Sequence, residues 1–236
     1  MRYFENTVCG IFLVVAGMFP LRASFAAEPV VVELFTSQGC SSCPPADDYL
    51  ARLADDPQVI ALALHVDYWD YIGWKDQFAS PAFTERQRDY ARAAETRSVY
   101  TPQMVVSGKD QIEGFKSAKV DASIRDWQDR PQVVTLATTR HGDNLQIHAE
   151  TGVALVQPLR VFLVRYAPSR TVSIDRGENA GRTMVYRNIV TSWESLGHWT
   201  GDAPLDMQVP VSGDAPLVVI LQEDGPGRIY AASRLE

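Results

Sequence analysis

The chain predicts an α/β fold over its first half and an antiparallel, β-sandwich-like fold over its second. Three observations carry this. An apolar run at 30–35 leads through a short turn into a Cys-x-x-Cys and then a helical pattern. A second run at 59–66, broken only by His65, has the composition of a strand buried on both faces. Beyond Arg130-Pro131 the period becomes strand-like, with turn signals at His141-Gly-Asp-Asn144 and Glu223-Asp-Gly-Pro-Gly227. The expected division is 27–130 and 131–236, with 1–26 set apart as a leader.

The elements follow in order. Val30, Val31, Val32, Leu34 and Phe35 make the first strand, interrupted by Glu33. Residues 36–39 have turn composition. Ala46, Tyr49, Leu50 and Leu53 share one helical face, and Pro44 and Pro45 suit the first turn, where a missing N–H costs little. A helix between two buried strands implies that the strands are parallel. Ser80 as N-cap and Pro81 as first residue open a second helix that runs to about position 96. Residues 104–106 and 111–113 read as a hairpin, and Val120, Ile124 and Trp127 mark a helix at 117–127. Short strands are expected at 133–139, 145–149, 159–165, 172–174, 183–190, 205–209, 217–222 and 228–232, a sandwich-like pattern.

Composition bounds the function. The 236 residues allow one large or two ordinary domains, and 46% apolar with 22% charged is ordinary for a globular chain. A net charge of −7 argues against nucleic-acid binding. Arg2 precedes an apolar run at 11–21, and Ser24-Phe25-Ala26 offers small residues where a signal peptidase looks. Cleavage is expected after Ala26, giving a periplasmic or secreted protein with no stable membrane insertion. An uncleaved anchor is the alternative, but the run is short for a span. Cleavage removes Cys9 and leaves Cys40 and Cys43 in an oxidising compartment, where disulfides persist.

Strand, turn, dithiol and helix in that order place both sulfurs at a helix N-terminus. Free N–H groups and the positive end of the helix dipole favour an anion there. A thiolate is the nucleophile of disulfide exchange. Cys40, nearer the turn, is expected at its exposed end as the attacking thiol. Cys43, in the first helical turn, is expected to resolve the mixed disulfide. A structural disulfide or half of a metal site are the alternatives, although zinc would want further ligands.

With Thr101-Pro102 ahead of the hairpin and Cys-Ser-Ser-Cys in the first turn, this order of elements resembles the thioredoxin superfamily. The resemblance implies a cis Pro102 facing Cys40 and a Thr101 backbone that pairs with an extended substrate segment. The wording Leu34-Phe-Thr-Ser-Gln-Gly-Cys-Ser-Ser-Cys-Pro-Pro-Ala-Asp47, His65-Val-Asp-Tyr-Trp-Asp70, Gly73-Trp-Lys75, Phe78-Ala-Ser-Pro-Ala-Phe-Thr-Glu-Arg-Gln87 and Tyr100-Thr-Pro-Gln103 resembles the secreted bacterial proteins grouped as domain of unknown function family 1223. That likeness covers essentially the whole mature chain and implies no particular activity.

Many thioredoxins use a buried acid in the first strand to assist proton transfer. Glu33 is the candidate here, but it lies one residue further from the first cysteine. A one-residue slip reverses a strand side chain's face, so a salt-bridged carboxylate is the equal alternative. Asp67, Tyr68, Trp69 and Trp74, with Asp70 and Tyr71 between them, form either a substrate-facing wall or a loop packing its rings on the sheet. His65 reads as a core histidine, with a copper or zinc site shared with the thiols and Asp67 as the alternative. The loop 176–182 has two arginines and two glycines but no Walker spacing, and reads as an inter-strand loop docked on the first half. The expected activity is thiol–disulfide exchange with protein or small-molecule thiols or disulfides. Cys40 would attack, Cys43 resolve, and Thr101 and Pro102 position the substrate, with no metal and no cofactor. A binding module with an inert Cys40–Cys43 disulfide and a metal carrier using His65 are the alternatives.

Overall fold

The computed structural model describes residues 28–235, so the expected leader at 1–26 lies outside the described residues. Strands β1 (Val30–Thr36) and β2 (Val59–His65) are buried along their whole lengths. They pair in parallel from Val30↔Val59 to Thr36↔His65. A parallel pair needs a crossover, and α1 (Pro44–Leu53) supplies it. The free edge of β1 takes β3 (Gln103–Val106) antiparallel, and β3 takes β4 (Asp110–Glu113). Between β2 and β3 lie a 3₁₀ turn (Asp70–Ile72) and α2 (Pro81–Ala93). Helix α2 opens on Ser80, whose hydroxyl accepts from the Ala82 N–H. Helix α3 (Ser117–Gln128) follows β4.

Alternation sorts the two faces of this sheet. Val30, Val32 and Leu34 join Val59, Ala61 and Ala63 beneath α1 and α3. Val31 and Phe35 join Ile60, Leu62 and Leu64 beneath Phe83 and Tyr90 of α2.

The second half adds β5 (Val134–His141), β6 (Asn144–Thr151), β7 (Leu159–Ile174), β8 (Arg182–Trp199), β9 (Leu205–Pro210), β10 (Leu217–Glu223) and β11 (Ile229–Leu235). Strands β5, β6 and β9 form a three-stranded antiparallel sheet. It packs Leu145 and Ile147 against Val161, Leu163, Val219 and Leu221 of the larger sheet. That larger sheet has eight strands in the order β11-β10-β7-β8-β2-β1-β3-β4, and it runs across the expected boundary at 130–131. The join is narrow. Ala63 of β2 pairs with Ile189 of β8, and Asn188, at φ 48°, donates from Nδ2 to the Ala61 carbonyl at 2.9 Å.

The strands expected at 159–165 and 172–174 are one strand, and the one expected at 183–190 continues to Trp199. The pair forms a long hairpin with irregularities at Val161/Phe162 and Arg165/Tyr166. The exposed stretch Pro168-Ser-Arg-Thr171 breaks the apolar pattern without ending the ladder. This length carries the hairpin tip back to the carboxyl ends of β1 and β2. Among the described residues, no helix is long and apolar enough to cross a membrane.

Candidate functional site: the dithiol turn

The chain leaves β1 at Thr36 and folds through two reverse turns, with Cys40 N–H donating to Ser37 O and Cys43 N–H to Cys40 O. Cys40 and Cys43 are joined in a disulfide, their Cα atoms 5.4 Å apart. Cys43 is the N-cap of α1, and Pro44 and Pro45 begin the helix.

Two expectations about this turn need correction. Cys40 was expected at an exposed end, yet both cysteines are fully buried. Only Ser41 and Ser42 face solvent. The cover comes from the aromatic segment and the β7–β8 tip. Trp69 and Ile72 lie against Gly39, where an added Cβ would sit 3.2 Å from Trp69 Cβ. Trp74 Nε1 donates to Gln38 Oε1 at 2.8 Å. Asn179, itself buried, donates from Nδ2 to the carbonyls of Gln38 and Cys40, both at 2.9 Å. Glu178 accepts from the Ser41 N–H at 3.3 Å. The tip approaches so closely because Gly177 has φ 78° and no side chain to meet Trp74, whose Cβ would be 3.1 Å away.

The second correction concerns the helix N-terminus. The two prolines have no N–H, and the Ala46 and Asp47 N–H groups both donate to Cys43 O, at 2.8 and 3.1 Å. The dipole remains, but the first helical turn offers a thiolate few donors. Near Cys40 Sγ the polar neighbour is Ser42 Oγ at 3.4 Å.

Thr101 and Pro102 are brought to the turn. Thr101 O accepts from Ser42 Oγ at 3.5 Å, and Thr101 Oγ1 accepts from Trp69 Nε1 at 2.8 Å. The Thr101–Pro102 peptide is cis. Pro102 approaches α1 across Gly114, where a Cβ would lie 2.8 Å from Pro102 Cβ and 3.1 Å from Ala46 Cβ. Of the aromatic segment, Trp69 and Trp74 flank the dithiol. Asp67 and Tyr68 instead tie to α2: Thr84 Oγ1 donates to Asp67 at 2.6 Å, and the Tyr68 hydroxyl to Gln87 Oε1 at 3.1 Å. Tyr71 is 81% exposed.

Glu33 is not brought to the dithiol. It shares the face of Val31 and Phe35, opposite α1. There Arg86 donates to it from Nε at 2.6 Å and Nη2 at 3.0 Å, and the Tyr90 hydroxyl donates at 2.5 Å. His65 lies on the α1 face, fully buried, between the edges of Phe78 and Tyr186. Its Nδ1 is 2.7 Å from Asp76 Oδ2. Among the described residues, no three His, Cys, Asp or Glu side chains are grouped as a metal site requires.

Two carboxylates that the sequence reading missed stand closer to the chemistry. Asp47 lies one helical turn beyond Cys43 and is 5% exposed. Thr36 Oγ1 donates to its Oδ1 at 2.8 Å, while its buried Oδ2 has no partner among the described residues. Burial pushes its carboxyl up to about 7, with the charge of His65 opposing the rise. Asp76 accepts from the Gln38 N–H at 2.8 Å on the oxygen that also meets His65. The spacing of Asp47 from Cys43 and Leu50 was a usable signal, since four back and three on share its helix face. Nothing local marks Asp76.

The family model described as a protein of unknown function (DUF1223) matches residues 31–222. Protein AGR_C_4864 from Agrobacterium tumefaciens has a similar crystal structure, with 32% identity and a TM-score of 0.77 over 90% of this chain and 96% of that one. HBP35 of Porphyromonas gingivalis is similar in fold alone, at 14% identity and a TM-score of 0.59 over 89% of this chain and 75% of that one. Among curated proteins, none matches. The chain belongs to the DUF1223 family.

Proposed function

We propose that this protein is an exported, thioredoxin-like thiol–disulfide oxidoreductase that works through Cys40 and Cys43. The observation that carries the reading is the bonded pair at the N-cap of a helix that follows a buried strand. The sheet order β2-β1-β3-β4, with α1 crossing between the parallel strands, supports the thioredoxin-like part of it. In this reading a substrate thiolate attacks Cys40 Sγ, the Cys40–Cys43 bond breaks, and Cys43 leaves as a thiolate. A second substrate thiol then releases the oxidised product and leaves both cysteines reduced. The reverse sequence passes the protein's disulfide to a substrate dithiol. Cys40 is assigned the substrate because it lies in the turn ahead of the helix, whereas Cys43 is the N-cap of α1. Thr101 and Pro102 would position an extended thiol-bearing segment, with Trp69 alongside. The partners are protein or small-molecule thiols and disulfides, met in the periplasm or outside the cell, and the leader-like composition of 1–26 supports that location.

A second reading is favoured by one observation, the full burial of both sulfurs beneath Asn179. It makes the protein a binding module with an inert disulfide. Acid-quenched, alkylated extracts of cells expressing each serine variant separate the two. Cys43→Ser should trap mixed disulfides on a non-reducing gel, and Cys40→Ser almost none. Equal trapping refutes the roles, and no trapping by either variant, together with a wild-type Cys40–Cys43 bond that resists strong reductant in the folded protein, favours the inert disulfide.

A further inference from the structure

The exchange proposed above moves a proton as well as electrons. When Cys43 leaves the disulfide it must gain a proton, and when it attacks a mixed disulfide it must lose one. We propose that Asp47 gives that proton to Cys43 Sγ and takes it back, and that the buried His65–Asp76 pair governs Asp47. The proposal rests on the exchange reading and names the acid–base group of the same site.

Position comes first. Asp47 and Cys43 are four residues apart on α1, and the Asp47 N–H donates to Cys43 O at 3.1 Å. Such residues share a helix face, and side chains there lean toward the N-terminus, which is the cysteine's end. Thr36 holds Asp47 Oδ1, leaving Oδ2 as the oxygen free to carry a proton. Thr36 and His65 are direct register partners at the ends of β1 and β2, so the imidazole lies on the same face beneath α1. Asp76, with Gln38 N–H also on its Oδ2, fixes His65 through Nδ1. His65 Nε2 is then the free ring position, and among the described residues it has no partner.

Two unpartnered buried polar atoms on neighbouring side chains are costly, and a role in catalysis would account for their being kept. Glu33, on the other face, has both oxygens bonded. The groups acting on Asp47 come from every element around it. His65 of β2 lowers its proton affinity, while Asp76 before α2 and Asp48 of α1 raise it. Tyr186 of β8 is a neutral phenol there, its proton held by burial and by the charges of Asp47 and Asp76. A carboxyl titrating at about 7 suits a donor and acceptor that works near neutrality.

The resolving step balances as follows. Asp47 carboxylate removes the Cys43 S–H proton, and Cys43 Sγ attacks Cys40 Sγ of the mixed disulfide. The Cys40–Cys43 bond forms, the bond from Cys40 to the substrate sulfur breaks, and the electron pair leaves with the substrate thiolate. In the opposite direction, protonated Asp47 supplies the proton to departing Cys43.

The test uses reduced full-length mature protein and a bis(nitrobenzoate) disulfide, whose released aryl thiolate is coloured. Cys40 releases the first aryl thiolate, and Cys43 attack on the mixed disulfide releases the second. The second-phase rate should rise with pH through an inflection near 7, because Asp47 must be ionised to accept a proton. Asp47→Asn should slow the second phase about a hundredfold and abolish the inflection, the loss confined to that phase. Asp47→Glu should restore an inflection. His65→Gln should move it to higher pH, since the charge that eases Asp47 ionisation is gone. An unaltered second phase in Asp47→Asn, with its inflection intact, overturns the proposal and leaves the exchange reading standing. A folded, reduced wild type that releases no aryl thiolate overturns the exchange reading, and this proposal with it. Should Asp47→Asn not fold, infrared titration of reduced Glu28→Gln protein decides, since Glu28 is also raised to about 7 by burial. A buried carboxylic-acid band that still ionises near neutral pH in that variant supports the proposal, and its absence overturns it.

Discussion

Glu33 and Asp47 are buried carboxyl groups on opposite faces of the same strand pair, and the fold treats them differently. Glu33 receives two donors from Arg86 and one from Tyr90, and Gln222 accepts a further Arg86 N–H at 2.9 Å. Arg86 also stacks on Trp193, 3.7 Å from its ring centre. Glu33, Tyr90 and Gln222 are each paired across β1, α2 and β10, so the network fastens the second half of the chain to the first, while the buried Trp193 Nε1 beneath Arg86 has no partner among the described residues. Among the described residues, Asp47 has one side-chain donor and one oxygen without a partner, beside an imidazole with one nitrogen without a partner. A buried polar network that is satisfied holds structure, and the unpaired groups beside the dithiol are where the proposed proton transfer would act.

The comparison breaks most sharply at Arg86. Arg86→Met leaves Glu33 buried without its cation and should cost about 3–5 kcal/mol in urea unfolding. The reactivity of Cys40 in the protein that remains folded should be unchanged. A loss under about 1 kcal/mol, the range of an exposed ion pair, would show that Glu33 is not the anchor described.

The second prediction concerns pH. Folding raises the Asp47 carboxyl from 3.8 to about 7, so the native state holds a proton that the unfolded chain releases. Its contribution to stability is full below 3.8 and is lost as pH rises through about 7. At about 1.4 kcal/mol per unit, the loss is at most roughly 4 kcal/mol. Glu28, also raised to about 7 by burial, adds a slope of the same sign. Urea midpoints of wild type should fall across this window, and those of Asp47→Asn should fall less. Equal slopes would place the Asp47 titration elsewhere.

The smallest expected effect is at the cover. Asn179→Ala removes two hydrogen bonds to the dithiol turn and should cost about 1–3 kcal/mol. Alkylation of Cys40 in the reduced protein should become faster. An unchanged alkylation rate would mean that the β7–β8 tip does not control access.

Much of the first half was legible because its signals are local. The apolar runs of β1 and β2, the Pro-Pro start of α1 and the Ser80-Pro81 start of α2 each carry their own cause. The face of Glu33 was legible too, as one of two outcomes that strand parity allowed. The burial of Cys40 was not: loop 176–182 was expected to dock on the first half, but nothing local showed that Asn179 would close over the dithiol turn together with Trp69 and Trp74. Pro168-Ser-Arg-Thr171 looks like a strand break, yet the ladder passes through it. Asp76 was invisible for a similar reason, since its partners His65 and Gln38 are neighbours only after folding.

The central claim, that Cys40–Cys43 is an exchanging pair rather than a staple, is tested most directly by its equilibrium with a dithiol buffer in the folded protein. Native protein equilibrated at graded ratios of reduced to oxidised dithiothreitol, quenched and alkylated, gives the reduced fraction at each ratio. The account predicts a reversible two-electron transition, approached equally from either side, with the fold intact in both forms. A bond that stays oxidised in strong reductant until the protein unfolds would contradict it and leave an inert structural disulfide.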